Sequence, residues 1–479
     1  MDKQKMDQWL DEHREVFADM SRQIWSYAEM RFCEVKSAAL QADFLEQEGF
    51  TLKRGVAGLP TAFSASFGSG KPIIAFLGEY DALAGLSQTA GAVEKKPLSV
   101  GGSGHGCGHN LLGTGALAAA VAVKRFMEEN KLNGTIRYYG CPGEEGGSGK
   151  TFMAREGVFS DLDAAFTWHP FSYNAVMSVG TLANFQVNYR FHGRSAHAAA
   201  APHLGRSALD AVELMNVGVN YLREHMIPEA RVHYAVINAG GVSPNVVQAE
   251  AESLYLIRAP KLEQVRELYE RVCKIAQGAA LMTETECEIV FDKACSNYIP
   301  NKILDQLLYA NFQAVGAPVF DEEDRRLAEG ISGTLSATDV ENDVKMANNL
   351  MCGRGGDALK HMKGLALADA ILPYEYFSMT MPGSTDVGDV SWVVPTSWLS
   401  VACQTIGTPG HSWQETAQSA TDLAHKGMIT AAKVLARTAV DLLADTALTG
   451  AALAELRETL DGTPYINPIP PDVQAKPYE

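Results

Sequence analysis

The chain has 479 residues, enough for two domains and a large core. Hydrophobic residues make up 46% and charged residues 20%, the balance of a soluble globular protein. The formal net charge of −17 argues against a nucleic-acid binder, and it means that an anionic substrate needs a local cationic pocket.

In chain order, residues 4–30 carry Met6, Leu10, Phe17, Met20 and Ile24 at helical spacing. Ile73-Ile74-Ala75-Phe76-Leu77 reads as a short buried strand, followed by Gly78-Glu79-Tyr80-Asp81. A glycine-rich run, Gly104-His105-Gly106-Cys107-Gly108-His109-Asn110, precedes a helical pattern over 111–130. The strand Thr135–Tyr139 then runs into Gly143-Glu144-Glu145-Gly146-Gly147, and the strand Ala164–Trp168 delivers His169. Each of these polar candidates lies just past the C-terminal end of a strand, where open α/β sheets place their sites.

The pattern changes near residue 180. Strands at 181–192, 231–239, 250–258 and 286–291 alternate with helices at 205–225 and 261–282, which makes a compact α+β unit. Helical patterns return after Pro300. Residues 320–380 hold few periodicities and read as loops and short helices, and 421–445 reads as an amphipathic helix. There is no internal repeat. The near-apolar stretch Leu111–Val123 is too short to span a membrane, and no signal segment opens the chain. Cysteines at 33, 107, 141, 273, 287, 295, 352 and 403 form no disulfide pattern, so a reducing cytoplasm is the expected location.

Cys, His and Glu are metal-binding side chains, and glycine lets backbone fold tightly around an ion. Cys107 and His109 in one glycine turn and Glu144 and Glu145 in another therefore suggest a metal-dependent hydrolase. The bland alternatives are a buried structural Cys beside a surface His, and a solvated acidic turn. On an extended backbone Glu144 and Glu145 would point apart, one to a metal and one to the substrate. Asp81, after a buried strand, reads equally as an orienting partner for a ligand or as a helix N-cap.

The ordered motifs resemble the M20 metallopeptidase family, in the amidohydrolase branch that contains aminoacylases and auxin-conjugate hydrolases. They are Gly-Glu-Tyr-Asp-Ala-Leu at 78–83, His-Gly-Cys-Gly-His at 105–109 and Gly-Cys-Pro-Gly-Glu-Glu-Gly-Gly at 140–147. Ser-Ala-His-Ala-Ala at 195–199, Pro-Asn-Val-Val at 244–247 and Gly-Thr-Pro-Gly-His at 407–411 continue the likeness over nearly the whole chain. One departure is Asn110, where the branch usually has Asp; an Asn there can still hydrogen-bond but carries no charge.

The resemblance implies a zinc-peptidase-like α/β catalytic domain with a mixed sheet flanked by helices, built from 1–180 and 300–479. An inserted α+β lid, 181–299, would mediate dimerisation. It implies Cys107, His109, Glu145, His169 and His411 as ligands of two divalent ions, with His425 the competitor of His411. Mn²⁺ is the metal that related enzymes use, whereas the thiolate by itself favours Zn²⁺. Glu144 would be the general base, and Asp81 would orient a ligand. His197 would reach a partner subunit's site and polarise the scissile carbonyl there.

Asn245 and Arg258 would grip a substrate carboxylate, and Arg258, hidden at the end of an apolar strand, should have a buried partner. An intradomain salt bridge is the plainer reading of Arg258, and Arg206 has no firm role. The implied reaction is hydrolysis of an amide joining an acyl or aroyl group to an amino acid that has a free carboxylate. p-Aminobenzoyl-glutamate is the leading substrate, and N-acyl amino acids or indoleacetyl-aspartate come next. The expected assembly is a homodimer or a heterodimer with a related sister subunit, with no nucleic-acid or membrane partner. A non-catalytic partner subunit is the alternative from another class.

Overall fold

The computed structural model describes residues 2–351, 356–376 and 378–478. Cys352 lies outside the described residues; the seven other cysteines are free thiols. In chain order the strands are β1 (Thr51–Arg54), β2 (Phe63–Ser69), β3 (Ile73–Gly78), β4 (Gly134–Gly140), β5 (Ala164–Phe171) and β6 (Ala175–Val176). They continue as β7 (Ala183–His192), β8 (Arg231–Asn238), β9 (Glu250–Ala259), β10 (Glu286–Cys295) and β11 (Thr396–Ala402).

Two sheets result. The larger has the order β1-β2-β4-β3-β5-β11-β6. Its central strands β4, β3, β5 and β11 run parallel, and the outer pairings are antiparallel. Parallel direction brings the carboxyl ends of β3, β4, β5 and β11 to one edge. The fold is thus α/β with a mixed sheet flanked by helices, as the sequence leads one to expect.

The helix His109–Asn130 links β3 to β4, and nearly all of its residues through Val123 are buried. An element that is apolar all round belongs in a core, not at a surface. It packs between the sheet and the helix Asp422–Ala444. Trp168 of β5 is fully buried beneath it and donates its indole N–H to the Leu112 carbonyl at 2.9 Å. Burying a side chain of that size contributes about 3 kcal/mol.

Helix Asp422–Ala444 is less amphipathic than its sequence suggests, because it is buried around most of its circumference. Its cations lie on one narrow stripe and are neutralised: Lys426 by Asp321 and Asp324, Lys433 by Asp11, and Arg437 by Asp7.

The stretch 4–30 forms two helices, Lys3–Glu12 and Arg14–Tyr27, not one. They break at His13, which has φ −102° and ψ 10°; the Trp9 carbonyl there accepts the His13 backbone N–H at 3.0 Å and lies 2.8 Å from its Nδ1. Residues 320–350 are more helical than the weak periodicity implied. Helices Glu322–Ser332 and Ala337–Leu350 begin at the capping boxes of Asp321 and Ser336, and each buries few side chains.

The smaller sheet has the order β10-β7-β9-β8 and is antiparallel throughout. Helices Ala208–Leu222 and Leu262–Thr283 cover one face, which is why alternate residues of β7 and β9 are buried. Strand β10 runs four residues beyond its expected end at 291, with a bulge between Phe291 and Lys293. Among the described residues no helix is long and apolar enough to cross a membrane.

Candidate metal centre and substrate cavity

The parallel edge gathers the site. The loop after β3 supplies Glu79 and Asp81, the loop after β4 supplies Glu144 and Glu145, and β5 supplies His169 from within the strand, ahead of its end. Cys107 and His109 flank Gly108, which has φ +70°; a Cβ there would meet the Pro170 ring at 2.5 Å. A side chain is thus excluded by both conformation and space.

The five residues named from the motifs converge. Ligand atoms of Cys107, His109 and His169 lie within 4.8 Å of one another, and so do those of Cys107, Glu145 and His411. The two groups share the Cys107 sulfur. A third group joins Glu79, His109 and Glu144 on the same criterion.

The contacts favour ions over direct pairing. His109 Nε2 lies 3.2 Å from Glu79 Oε2, and His411 Nε2 lies 3.2 Å from Glu145 Oε1. Yet buried His109 Nε2 and Glu145 Oε1 have no hydrogen-bond partner among the described residues. Atoms this close but not aligned with one another are aimed at a shared point, as ligands of one cation are. Sulfur, imidazole and carboxylate are a fitting donor set for a divalent transition metal. The residues present therefore fit the group that the motifs imply.

Neighbours hold these ligands. His109 Nδ1 donates to Asp81 Oδ1 at 2.9 Å, which leaves Nε2 free toward the cluster. His169 Nδ1 faces the Pro170 carbonyl at 2.9 Å, and its Nε2 lies 3.4 Å from the Cys107 sulfur. Burial lowers His169 to about 4, so the ring is neutral and has a lone pair to give. Burial would raise Glu145, but the His411 and His109 rings hold it at about 2. Burial, followed by the charges of Glu79 and Glu145, pushes Glu144 well above the usual carboxylate range. His411 itself adopts φ +56°, an uncommon conformation for a residue with a side chain. Its backbone N–H donates to buried Glu415 at 3.0 Å.

Several placements differ from the sequence reading. Glu144 and Glu145 do diverge, but from a tight turn with left-handed Gly143 and Gly146, not from extended backbone. Asp81 caps no helix. Asn110 is turned away from the cluster: its amide donates to Ser21 Oγ at 2.9 Å and to the Ser419 carbonyl at 2.8 Å. The Asp-to-Asn departure therefore leaves the ligands untouched. His425 is buried in the helix after Thr421, outside all three groups, and Arg206 pairs with Glu284 at 2.7 Å.

A cavity of about 530 Å³ opens between the two sheets, lined by Cys107, Glu144, Glu145, His169 and His411 on one side and by Arg258 on the other. No carboxylate pairs with Arg258 among the described residues, contrary to the buried partner expected for it. Its Nε is buried with no hydrogen-bond partner among the described residues. Asn245 is not brought to Arg258. It lies exposed beside His197, and its carbonyl accepts from the Ala198 N–H at 3.0 Å. His197 is also exposed, and its Nδ1 accepts from the Ala199 and Ala200 N–H groups.

The structure also adds residues that the sequence reading did not single out. Lys150 is fully buried and bridges Glu79 at 2.6 Å and Asp386 at 2.5 Å. Burial opposes ionisation of Glu79, but Lys150 and then His109 hold its carboxyl low. Glu79 sits two positions before Asp81, so its place after β3 was a usable signal. Lys150 and Asp386 had none, because their pairing joins segments far apart in the chain.

Comparison with known proteins identifies the family. A model of "Peptidase family M20/M25/M40" matches residues 75–441. The chain is 50% identical over 479 residues to one of the subunits of p-aminobenzoyl-glutamate hydrolase from Escherichia coli (strain K12), covering 99% of this chain and 98% of that one. It is 31% identical to the Xaa-Arg dipeptidase of Mus musculus over 70% of this chain and 75% of that one. Among solved structures, a dinuclear metal-binding peptidase of the M20 family from Bacillus subtilis shares the fold, with TM-score 0.54, 16% identity and coverage of 91% and 99%. The chain belongs to the M20/M25/M40 peptidase family and is a hydrolase.

Proposed function

We propose that this chain hydrolyses the amide between an aroyl or acyl group and an amino acid, with p-aminobenzoyl-glutamate as its substrate. The carrying observation is the juxtaposition, across one cavity, of a metal-type cluster with the Arg258 guanidinium, which no carboxylate pairs among the described residues. An amide substrate with a free carboxylate satisfies both ends. The half-identical relative named for p-aminobenzoyl-glutamate supports the choice of acyl group and amino acid.

Cys107, His109, Glu145, His169 and His411 would hold two divalent ions, which when bound supply Lewis acidity to the carbonyl and to water. Mn²⁺ is the first choice and Zn²⁺ the alternative. Glu144, which lines the cavity beside the cluster, takes the proton from the attacking water and delivers it to the leaving nitrogen. Asp81 fixes the His109 ring, and Arg258 receives the carboxylate bidentately.

Residues 181–299 act as a lid and dimerisation unit inserted between catalytic segments 1–180 and 300–479. Strand β8 is a sheet edge with exposed Tyr234, Val236 and Ile237, a surface suited to another chain. His197 and Asn245, exposed together away from their own cavity, then serve a neighbour's site. That neighbour is a second copy or a related sister chain, in keeping with a half-identical relative that is itself one subunit of its hydrolase. A cytoplasmic location fits the free thiols.

The test is to load the purified chain with Mn²⁺ or Zn²⁺ and to follow p-aminobenzoate release, alone and with the sister subunit. Release by this chain alone supports the catalytic reading. Release that needs the sister chain but survives Glu144→Gln in this one supports the partner-subunit reading. No release under either condition overturns the substrate.

A further inference from the structure

Arg258 is not the sole cation on the lid face of the cavity. Lys293 of β10 lines it too, with only 8% of its surface exposed. The β10 bulge puts it there. From Glu286 to Phe291 the strand pairs with β7 in simple alternation, but the extra residue Asp292 shifts the register, so that Lys293 pairs with Gln186 and Cys295 with Asn184. Gln186 and Asn184 are themselves cavity residues, so the shift sets Lys293 on the cavity face. Bulges commonly re-aim a side chain beside a site in this way.

Lys293 has no ion-pair partner among the described residues. Asp292, its neighbour, is engaged by Gln186 Nε2 at 2.7 Å and by Arg31 at 3.4 Å. Cys295, on the same face, is pushed up to about 12 by burial and is a neutral thiol. A cavity-lining lysine with no ion-pair partner of its own among the described residues, its chain largely buried, is placed to take one from a ligand. Arg258 and Lys293 stand on strands separated only by β7 and are offset by two residues along it, since Arg258 pairs with Asn184 and Lys293 with Gln186, which puts them about 12 Å apart at the backbone. Their long side chains can close that gap toward two anionic groups on one small molecule.

We infer that Lys293 is a specificity-determining residue that binds the side-chain carboxylate of an N-acylated dicarboxylic amino acid while Arg258 holds the α-carboxylate. The inference rests on the proposed amidohydrolase reading and adds to it the reason for an acidic amino acid. It also gives a reason to reject a cationic side chain such as that handled by an Xaa-Arg dipeptidase, since Lys293 would repel it.

The experiment compares kcat/KM for p-aminobenzoyl-L-glutamate and p-aminobenzoyl-L-glutamine, which differ in one carboxylate made amide. It uses the metal-loaded enzyme, with the sister subunit present. The native chain is expected to prefer glutamate by about 10- to 100-fold. Lys293→Met should shrink that ratio at least tenfold and Lys293→Arg should keep it, while Arg258→Met should lower both substrates alike. Inhibition by free L-glutamate over L-glutamine should follow the same order. A Lys293→Met enzyme that keeps the native ratio overturns the inference and leaves the amidohydrolase reading intact. Equal losses on both substrates in Lys293→Met and Lys293→Arg overturn it as well, as marks of a structural role. A native enzyme that cleaves neither amide removes the underlying reading and this inference with it.

Discussion

Asp81 and His109 form the joint on which the metal cluster turns. One Asp81 oxygen accepts from His109 Nδ1 at 2.9 Å, and the other accepts from the Glu145 backbone N–H at 2.7 Å. A single carboxylate thus sets the tautomer of one ligand and the position of the next, and it ties the loop after β3 to the loop after β4.

Asp81→Ala should therefore lower metal affinity by about 10- to 100-fold without unfolding the chain. Metal content after dialysis against a graded chelator, with circular dichroism as the folding control, checks this. Unaltered retention would show that the ligands hold their geometry without Asp81.

Glu144 makes no direct contact in the two Cys107 groups. Glu144→Gln should keep the metal content of the native chain while turnover drops by about 10²- to 10⁴-fold. A parallel loss of metal would instead make Glu144 a ligand.

Without cations the cluster brings Glu79, Glu144 and Glu145 together, and their charges oppose one another. Metal binding should then stabilise the fold, by about 2.7 kcal/mol at a free metal concentration of about a hundred times Kd. Chelation should lower Tm, and adding metal back should restore it. In Cys107→Ser the metal-dependent rise should shrink, since the shared sulfur serves both groups. A Tm indifferent to metal in the native chain would count against the centre.

Asp305 tests the same physics away from the site. Its side chain is fully buried, accepts from Ser397 Oγ and leaves Oδ2 without a hydrogen-bond partner among the described residues. Burial raises its pKa from 3.8 to about 7. The folded state therefore holds the proton more tightly than the unfolded chain does. Below about pH 4 the group is neutral in both states and costs nothing; between about 4 and 7 stability falls as pH rises, and above about 7 the full penalty applies. Asp305→Asn should match the native chain near pH 4 and exceed it at pH 8 by up to about 4 kcal/mol. Urea melts at the two pH values measure the difference, and equal stability at pH 8 would refute it.

The likeness of the ordered motifs to a known family named His169 and His411 as ligands, while the residues themselves marked the central buried strands, the buried helix after His109, and Cys107, His109, Glu144 and Glu145 as metal-type side chains. The features that the residues themselves marked are local: strand alternation, helical spacing and glycine turns are written within a few residues of each other. The sequence also marked Asp81, because a polar residue just past a buried strand must fall at the sheet's carboxyl edge. What tertiary structure alone decided is long-range. The Lys150 bridge from Glu79 to Asp386 joins segments with no common pattern. The solvation of Arg258, and the absence of the partner expected for it among the described residues, depend on how the two sheets face each other across the cavity. The place of Lys293 depends on a single extra residue in β10, because one added residue in a strand reverses which face every later side chain takes.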